Sequence, residues 1–360
     1  MAGWRRHSGL GLCAGALLAL AGTAAAQDPV ASFPNKPIRM VVGFAAGGGN
    51  DIFARLIQNE LTKRTGWTVV VENKPGAGGR LSAEYVAREP ADGYTLLVGA
   101  SGAMAIGPLI FKTEYDTLTS FVPVTMIGDF PLFLAVGVDH PAKTAKDLVA
   151  WTKANADKAN YATSSPAFTL PSELFKMKSG ANGTAIPYKS SGESILAVMS
   201  GNAAMTVVDP PPMVPQVQGG KVRALAVLAK ERFPDLPDVP TMTEAGFPDV
   251  NVSLWSGFFV PAGTPKPIVD KLHKELNAVI MQSEVKNKLR ALAVKPTGAG
   301  TEDFSRLIAE AQKMWSSVIK AGKEFEKLAT NDMTESLSSS LVIAGGRIYV
   351  RTFDALYAIG

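Results

Sequence analysis

The stretch GFAAGGGNDIFARL (43–56) sets three consecutive glycines and an acidic residue at the head of an apolar-periodic segment, directly after the apolar run IRMVV. A strand, a glycine turn and a helix N-terminus together make an anion site, because free N–H groups and the positive end of the helix dipole face the turn. Two phosphate readings fail on spacing. A Walker loop needs Gly-Lys-Ser/Thr at its end, and this turn offers neither the lysine nor the hydroxyl. A dinucleotide fingerprint needs G-x-G-x-x-G; Gly47 and Gly49 supply its first half, but Ile52 holds the third position. What remains is a tight turn with Asp51 at the helix start, or a cradle in which backbone N–H groups hold a small carboxylate. The cradle is the expectation carried forward.

Three further stretches place polar groups where strands end. In YTLLVGASGAM (94–104), residues Gly99 to Ala103 approach a G-x-S-x-G nucleophile elbow, with Ala103 in place of the last glycine. A serine hydrolase also needs a histidine base, and beyond the N-terminal leader only His140 and His273 are available. His140 precedes a proline in a loop, and His273 reads as a solvated position on a helix. Ser101 is therefore expected to be a hydrogen-bond donor to a ligand, with a hydrolase using Ser101 as the alternative. In NYATSSPAFTLPSELFK (160–176), Thr163, Ser164, Ser165 and Thr169 offer hydroxyls before a helix expected to begin at Thr169 or Leu170. In TVVDPPPMVP (206–215), Asp209 ends a strand and either caps a turn or receives an amine, water or hydroxyl in a cleft. No carboxylate pair has acid–base spacing, and two histidines do not make a metal site. Neither a cofactor nor a metal is expected.

Stepping outward from these groups, strands and helices alternate. Segments 38–44, 51–65, 67–73, 81–89 and 94–100 read as β-α-β-α-β, the pattern of a parallel sheet covered by helices. Residues 121–129 and 131–138 read as strands run nearly together. A second α/β unit follows, with helices at 145–156, 170–179 and around 195–201 and strands at 159–163, 205–209 and 222–228. A strand at 253–262 opens a third section. The helix 267–281 then presents Ile268, Val269, Leu272, Leu276, Val279 and Ile280 on one face, and the last long helix lies within 301–320. Ligands of open parallel sheets bind beyond the carboxyl ends of the strands, so the polar strand ends point to one cleft between two α/β units.

The 360 residues are enough for two cores, and the composition, 46% apolar and 19% charged, is globular. A net charge of +4 with no basic stripe excludes nucleic acid as an expected partner. Residues 1–26 read as a signal peptide: a basic Trp4-Arg5-Arg6-His7, a short apolar run from Leu10 to Leu20, and a small-residue cleavage site at Ala24-Ala25-Ala26. Cys13, the single cysteine, leaves with it. No later run is long enough to span a bilayer, so the expected product is exported and periplasmic, without a membrane span.

The stretches FPNKPIRMVVGFAAGGGNDIFARL, VVVENKPGAGG, PADGYTLLVGASG, IPYKSSGESILAVMSGNAAMTVVD and WSGFFVPAGTPKPIVDKL, in this order within residues about 33–325, resemble the substrate-binding proteins of tripartite tricarboxylate transporters, the Bug or TctC type. The resemblance implies an α/β two-domain periplasmic-binding-protein (Venus flytrap) fold, each domain a mainly parallel sheet flanked by helices, joined by a two-strand hinge. It implies domain 1 at 27–130 plus 252–325 and domain 2 at 131–251. It further implies a non-enzymatic role: capture of a small organic acid between the domains by a monomer, and delivery to membrane permease subunits, or presentation to a signalling partner. The positions that match the family's ligand contacts are Phe44, Ala46, Gly47, Gly48 and Asp51, then Ser101, Gly102 and Ala103. From the second domain they are Ser164, Ser165, Phe168, Thr169 and Asp209. Departures concentrate in the second domain. SSPAFTLPS replaces a glycine-rich turn, Asp209-Pro210 replaces Asp-Asn, and Arg80 replaces an asparagine after PGAGG. Beyond about 325 the resemblance ends. A serine-rich linker (331–340) leads to VIAGGRIYVRTFDALYAIG, which looks like closing strands of a quinoprotein-type β-propeller blade, with Gly345-Gly346 as a hairpin turn and no quinone chemistry expected.

Overall fold

The computed structural model describes residues 32–321 and, in the tail, 341–344, 347–351 and 356–359. The expected leader (1–26), the linker 331–340 and the Gly345-Gly346 turn lie outside the described residues.

β1 (Ile38–Val42), α1 (Gly49–Thr65), β2 (Val69–Asn73), α2 (Arg80–Ala87) and β3 (Thr95–Ala100) form the expected β-α-β-α-β unit. A π-helical turn over Gly102–Ile106 and the short α3 (Gly107–Ile110) lead to β4 (Phe121–Pro131). Leu132 alone separates β4 from β5 (Phe133–Gly137). The second unit comprises α4 (Ala145–Ala154), β6 (Asn160–Thr163), α5 (Pro166–Ser179), β7 (Thr184–Pro187), α6 (Ser191–Met199), β8 (Met205–Val208), α7 (Pro210–Gln218) and β9 (Val222–Val227). The chain then returns through β10 (Ser253–Pro261), α8 (Lys266–Ile280), α9 (Ser283–Ala291), β11 (Lys295–Pro296) and α10 (Thr301–Ala321). In the tail, β12 (Leu341–Ala344), β13 (Arg347–Arg351) and β14 (Leu356–Ile359) pair as a separate antiparallel sheet.

Two sheets carry the body. The first has the order β11-β4-β10-β3-β1-β2 and the second β7-β6-β8-β5-β9. In the first, β1 pairs in parallel with β2 and β3, while β10 enters antiparallel between β3 and β4. In the second, β6 pairs in parallel with β7 and β8, while β5 lies antiparallel between β8 and β9. Each sheet is thus parallel at one end and mixed at the other. The strands that interrupt the parallel order, β10 and β5, adjoin the two places where the chain crosses between sheets. The crossings are bonded to each other: Leu228 N–H donates to Leu132 O at 2.8 Å, and Val252 N–H donates to Leu228 O at 3.0 Å.

The core follows the pattern of apolar spacing. All six apolar positions of α8 named above are buried, and they close one side of the first sheet. Phe304 and Ile308 of α10 cover the other side with Trp255, Phe259 and Met104. α1 begins two residues before the expected position, because glycines at its first turn are compatible with helical geometry. α5 begins at Pro166, not at Thr169 or Leu170, since proline without its N–H is at home in a helix's first turn. The same reason explains α7, which the run Pro210-Pro211-Pro212 initiates where a turn was expected. α9 was not anticipated either; its burial rests on Val285 and Leu289 alone.

Leu276 is fully buried on α8. Leu276→Ala is expected to lower unfolding free energy by about 2–5 kcal/mol through lost burial and a residual cavity, read as an earlier urea midpoint with ligand affinity unchanged.

Candidate functional site

The ends of four strands converge on one cavity between the sheets. From the first sheet, Phe44 follows β1, Gly49 and Asn50 open α1, and Ser101 and Gly102 follow β3. Phe130, Leu254, Trp255 and Ser256 of β4 and β10 form its floor. From the second sheet, Ser165, Ala167 and Phe168 follow β6, and Asp209 follows β8. The cavity measures about 20 Å³, room for little more than a water molecule. The two sides are in direct contact: Ala45 N–H donates to Lys189 O at 3.1 Å and Gly49 N–H to Ser191 Oγ at 3.3 Å.

Helix N-termini dominate the lining. The first N–H groups of a helix have no acceptor within it. At α1 the Gly49 N–H is taken by Ser191, whereas those of Asn50 and Asp51 have no acceptor among the described residues. α5 begins at the same cavity, with Ser165 as its N-cap and a side chain that makes no capping bond. Asn50 is itself anchored, its Oδ1 accepting from Ser256 Oγ at 2.6 Å across to β10.

Of the residues singled out in the sequence, Phe44, Ser101, Gly102, Ser165, Phe168 and Asp209 line the cavity. The others stand behind or beside it. Ala46 and Gly47 are exposed. Gly47 N–H donates to Asp51 Oδ2 at 3.0 Å and Gly48 N–H to Ala45 O at 3.4 Å, so the glycine turn spends these donors on itself. Asp51 also accepts from Arg55 Nε (3.0 Å) and Asn73 Nδ2 (2.9 Å). Burial pushes its pKa up, but these bonds outweigh burial and hold the carboxyl below its ordinary value. Ala103 turns its carbonyl to the Tyr115 hydroxyl at 2.6 Å. Thr169 pairs with Thr163 at 2.9 Å. Ser164 is buried, and its hydroxyl has no hydrogen-bond partner among the described residues. Arg80 stacks on the Phe111 ring, 3.7 Å from its centroid, outside the lining.

Ser101 accepts a hydrogen bond from Trp255 N–H at 3.4 Å. His273 is not a solvated helix position; its Nδ1 meets Thr125 Oγ1 at 2.8 Å. His140 accepts from Ala142 N–H and packs on Trp151. Among the described residues neither histidine is bonded to Ser101. Sequence reading missed Asn50, Phe130, Trp255 and Ser256. A serine inside the apolar strand SLWSGFFVP was the available signal.

Asp209 is the only charged side chain in the lining, and only 4% of it is exposed. Burial raises its pKa to about 6, partly offset by the Ser191 hydroxyl and its own backbone. The carboxylate lies flush on the first residue of α1: a Cβ added to Gly49 would sit 1.8 Å from Oδ2. Across the same interface, a Cβ on Gly102 would sit 2.8 Å from the Ala167 methyl. The two glycines let the sides meet.

Residues 53–323 match the tripartite tricarboxylate transporter family receptor, TctC. The chain belongs to this family. It is 34% identical over 313 residues to protein BugT of Bordetella pertussis (strain Tohama I), covering 85% of this chain and 95% of BugT. Two solved receptors share its fold. Rpa4515 of R. palustris, with adipate, superposes with a TM-score of 0.77 at 33% identity, covering 80% of this chain and 97% of the other. MatC of Rhodopseudomonas palustris, with bound malate, does so at 0.76 and 32%, covering 80% and 100%. Like these, the TctC chain described here is a mixed α/β two-sheet protein, and none of its described helices is long and apolar enough to cross a membrane.

Two outcomes test this geometry. Gly49→Ala suits a helix start but overlaps the Asp209 carboxylate. Because that overlap disfavours the closed form, it should weaken ligand binding by about 1–3 kcal/mol through overpacking, as titration calorimetry would show. Asp209 binds its proton more tightly folded than unfolded, so its contribution to stability falls as pH rises from 3.8 to about 6. Asp209→Asn should therefore stabilise the ligand-free protein at pH 7, by up to about 3 kcal/mol. The gain should shrink as pH falls through that window, as urea unfolding at several pH values would show.

Proposed function

We propose that this TctC receptor is a periplasmic solute-binding protein that captures a small organic carboxylate between its two lobes and hands it to a tripartite tricarboxylate-type permease. The observation that carries the reading is the convergence of helix starts, at α1, after β3 and at α5, on one cavity, where the Asn50 N–H has no acceptor among the described residues. Such groups favour an anion without any cationic side chain. Their hydrogen bonds offset the cost of taking a carboxylate out of water. The adipate and malate held by related receptors agree with this class of ligand.

A cavity of about 20 Å³ cannot admit such a molecule, so entry requires the lobes to part at the Leu132–Leu228–Val252 crossing. A ligand that touches both lobes then favours the closed form by its differential affinity for it. The lobes in this reading are residues 27–130 with 252–325, and 131–251. Export by residues 1–26 places the receptor where a permease could receive its cargo. The reading makes Ser101 a ligand-facing hydroxyl and not a nucleophile, since it lines the cavity and neither histidine is bonded to it among the described residues.

Thermal shifts against mono-, di- and tricarboxylates, aromatic acids and amino acids test this function. A concentration-dependent rise in Tm for at least one carboxylate group is expected, with no rise for sugars or phosphate esters. A rise confined to non-carboxylates would contradict it.

A further inference from the structure

We propose that the start of α6 is a latch on lobe closure: Lys189, Ser191 and Gly192 of the second lobe hold the glycine turn 45–49 of the first outside the cavity, and so set affinity for every ligand by one common factor. This rests on the reading above that the lobes part to admit a ligand. It goes beyond that reading by naming positioning residues that do not touch the ligand.

The three glycines of GFAAGGGND are the first observation. Only Gly47 needs glycine for its backbone, with φ at +82°. Gly48 is extended, with φ −78° and ψ 163°, and Gly49 is the first residue of α1. Other residues adopt both conformations. Room is what these two positions lack. A Cβ on Gly48 would sit 3.1 Å from Ser190 Cβ, and one on Gly49 is blocked by Asp209. The constraint is reciprocal, since a Cβ on Gly192 would sit 2.5 Å from the Gly47 carbonyl oxygen. Gly192 is the second residue of α6, where alanine suits the helix better than glycine. Its lack of a side chain serves the opposite lobe, not its own helix.

Hydrogen bonds cross at the same place. Ala45 N–H donates to Lys189 O at 3.1 Å, and Gly49 N–H to Ser191 Oγ at 3.3 Å. The Ser191 hydroxyl also hydrogen-bonds the Asp209 carboxylate of its own lobe, so its donor and its acceptor are both in use when the lobes meet. The α6 start that presents it is capped from both directions. Ser190 Oγ accepts from Glu193 N–H at 3.2 Å, and Glu193 Oε2 accepts from Lys189 N–H at 3.0 Å, a close relative of the capping box.

The latch stands apart from the cavity. None of Lys189, Ser190, Ser191 and Gly192 lines it, and Ser190 and Ser191 are buried. Their contacts with the first lobe exist only when the lobes are together, and they lie outside the space a ligand would take. A ligand that binds the closed form has an apparent affinity scaled by the closed fraction. Weakening the latch lowers that fraction and scales down every ligand alike.

The test is Gly192→Ala in the full chain, unfolded and refolded to release carried-over ligand, and titrated by calorimetry with malate, adipate, citrate, benzoate and L-glutamate. Each probe that binds the wild type should bind the variant about tenfold more weakly, by the same factor and in the same order. The loss should appear as faster release, with a cooperative melting transition retained. Ser191→Ala should act in the same direction by about threefold to tenfold, the scale of one lost hydrogen bond. Either variant suffices if the other fails to fold. Affinities equal to the wild type, or losses that differ among probes and reorder them, would overturn the latch and leave the carboxylate receptor intact. Failure of every probe to bind the wild type would overturn both.

Discussion

The structure depends on backbone N–H groups that helices cannot use. Each α/β unit ends its strands at helix starts, and each start leaves donors without acceptors inside the helix. A protein must cover these groups, solvate them or give them a ligand. In this chain helix starts meet at one cavity whose lining holds no basic side chain, and on the proposed reading that cavity takes a carboxylate.

Closure follows from the same arrangement. The lobes meet through backbone and small residues, with Gly49 under Asp209 and Gly102 against Ala167. Only residues without side chains allow two helix starts to approach this closely. The crossing at Leu132, Leu228 and Val252 is bonded backbone to backbone. The cores themselves are apolar and well filled, from α8 on one side of the first sheet to Phe304 and Ile308 on the other. On the proposed reading, the lobes part at this crossing to admit the ligand.

Much of this was legible in the residues. The alternation of strand and helix, the buried face of α8 and the pairing of polar groups with strand ends could all be read from spacing. Asp209 could be placed near a cleft by the same logic, and Phe168 only by the family resemblance. The glycine turn was the instructive exception. GFAAGGGND reads as a cradle, but Gly47 and Gly48 donate to Asp51 and Ala45, and the N–H groups without an acceptor among the described residues belong to Asn50 and Asp51. Sequence spacing locates a turn; it does not say which way each N–H points. The proline run misled for a related reason, because prolines that end one helix can begin another. Ser256 and Trp255 were hidden because an apolar strand gives no sign of which residue faces a cleft made by a distant segment.

The most direct test is an amide-resolved NMR titration with the best-binding carboxylate. The account predicts downfield shifts of the Asn50 and Asp51 amide protons together with those of Gly102 and Ala167, all saturating at one ligand per chain. Shifts confined to one lobe, or an unmoved α1 start at saturation, would contradict the claim that helix N-termini from both sheets hold the ligand.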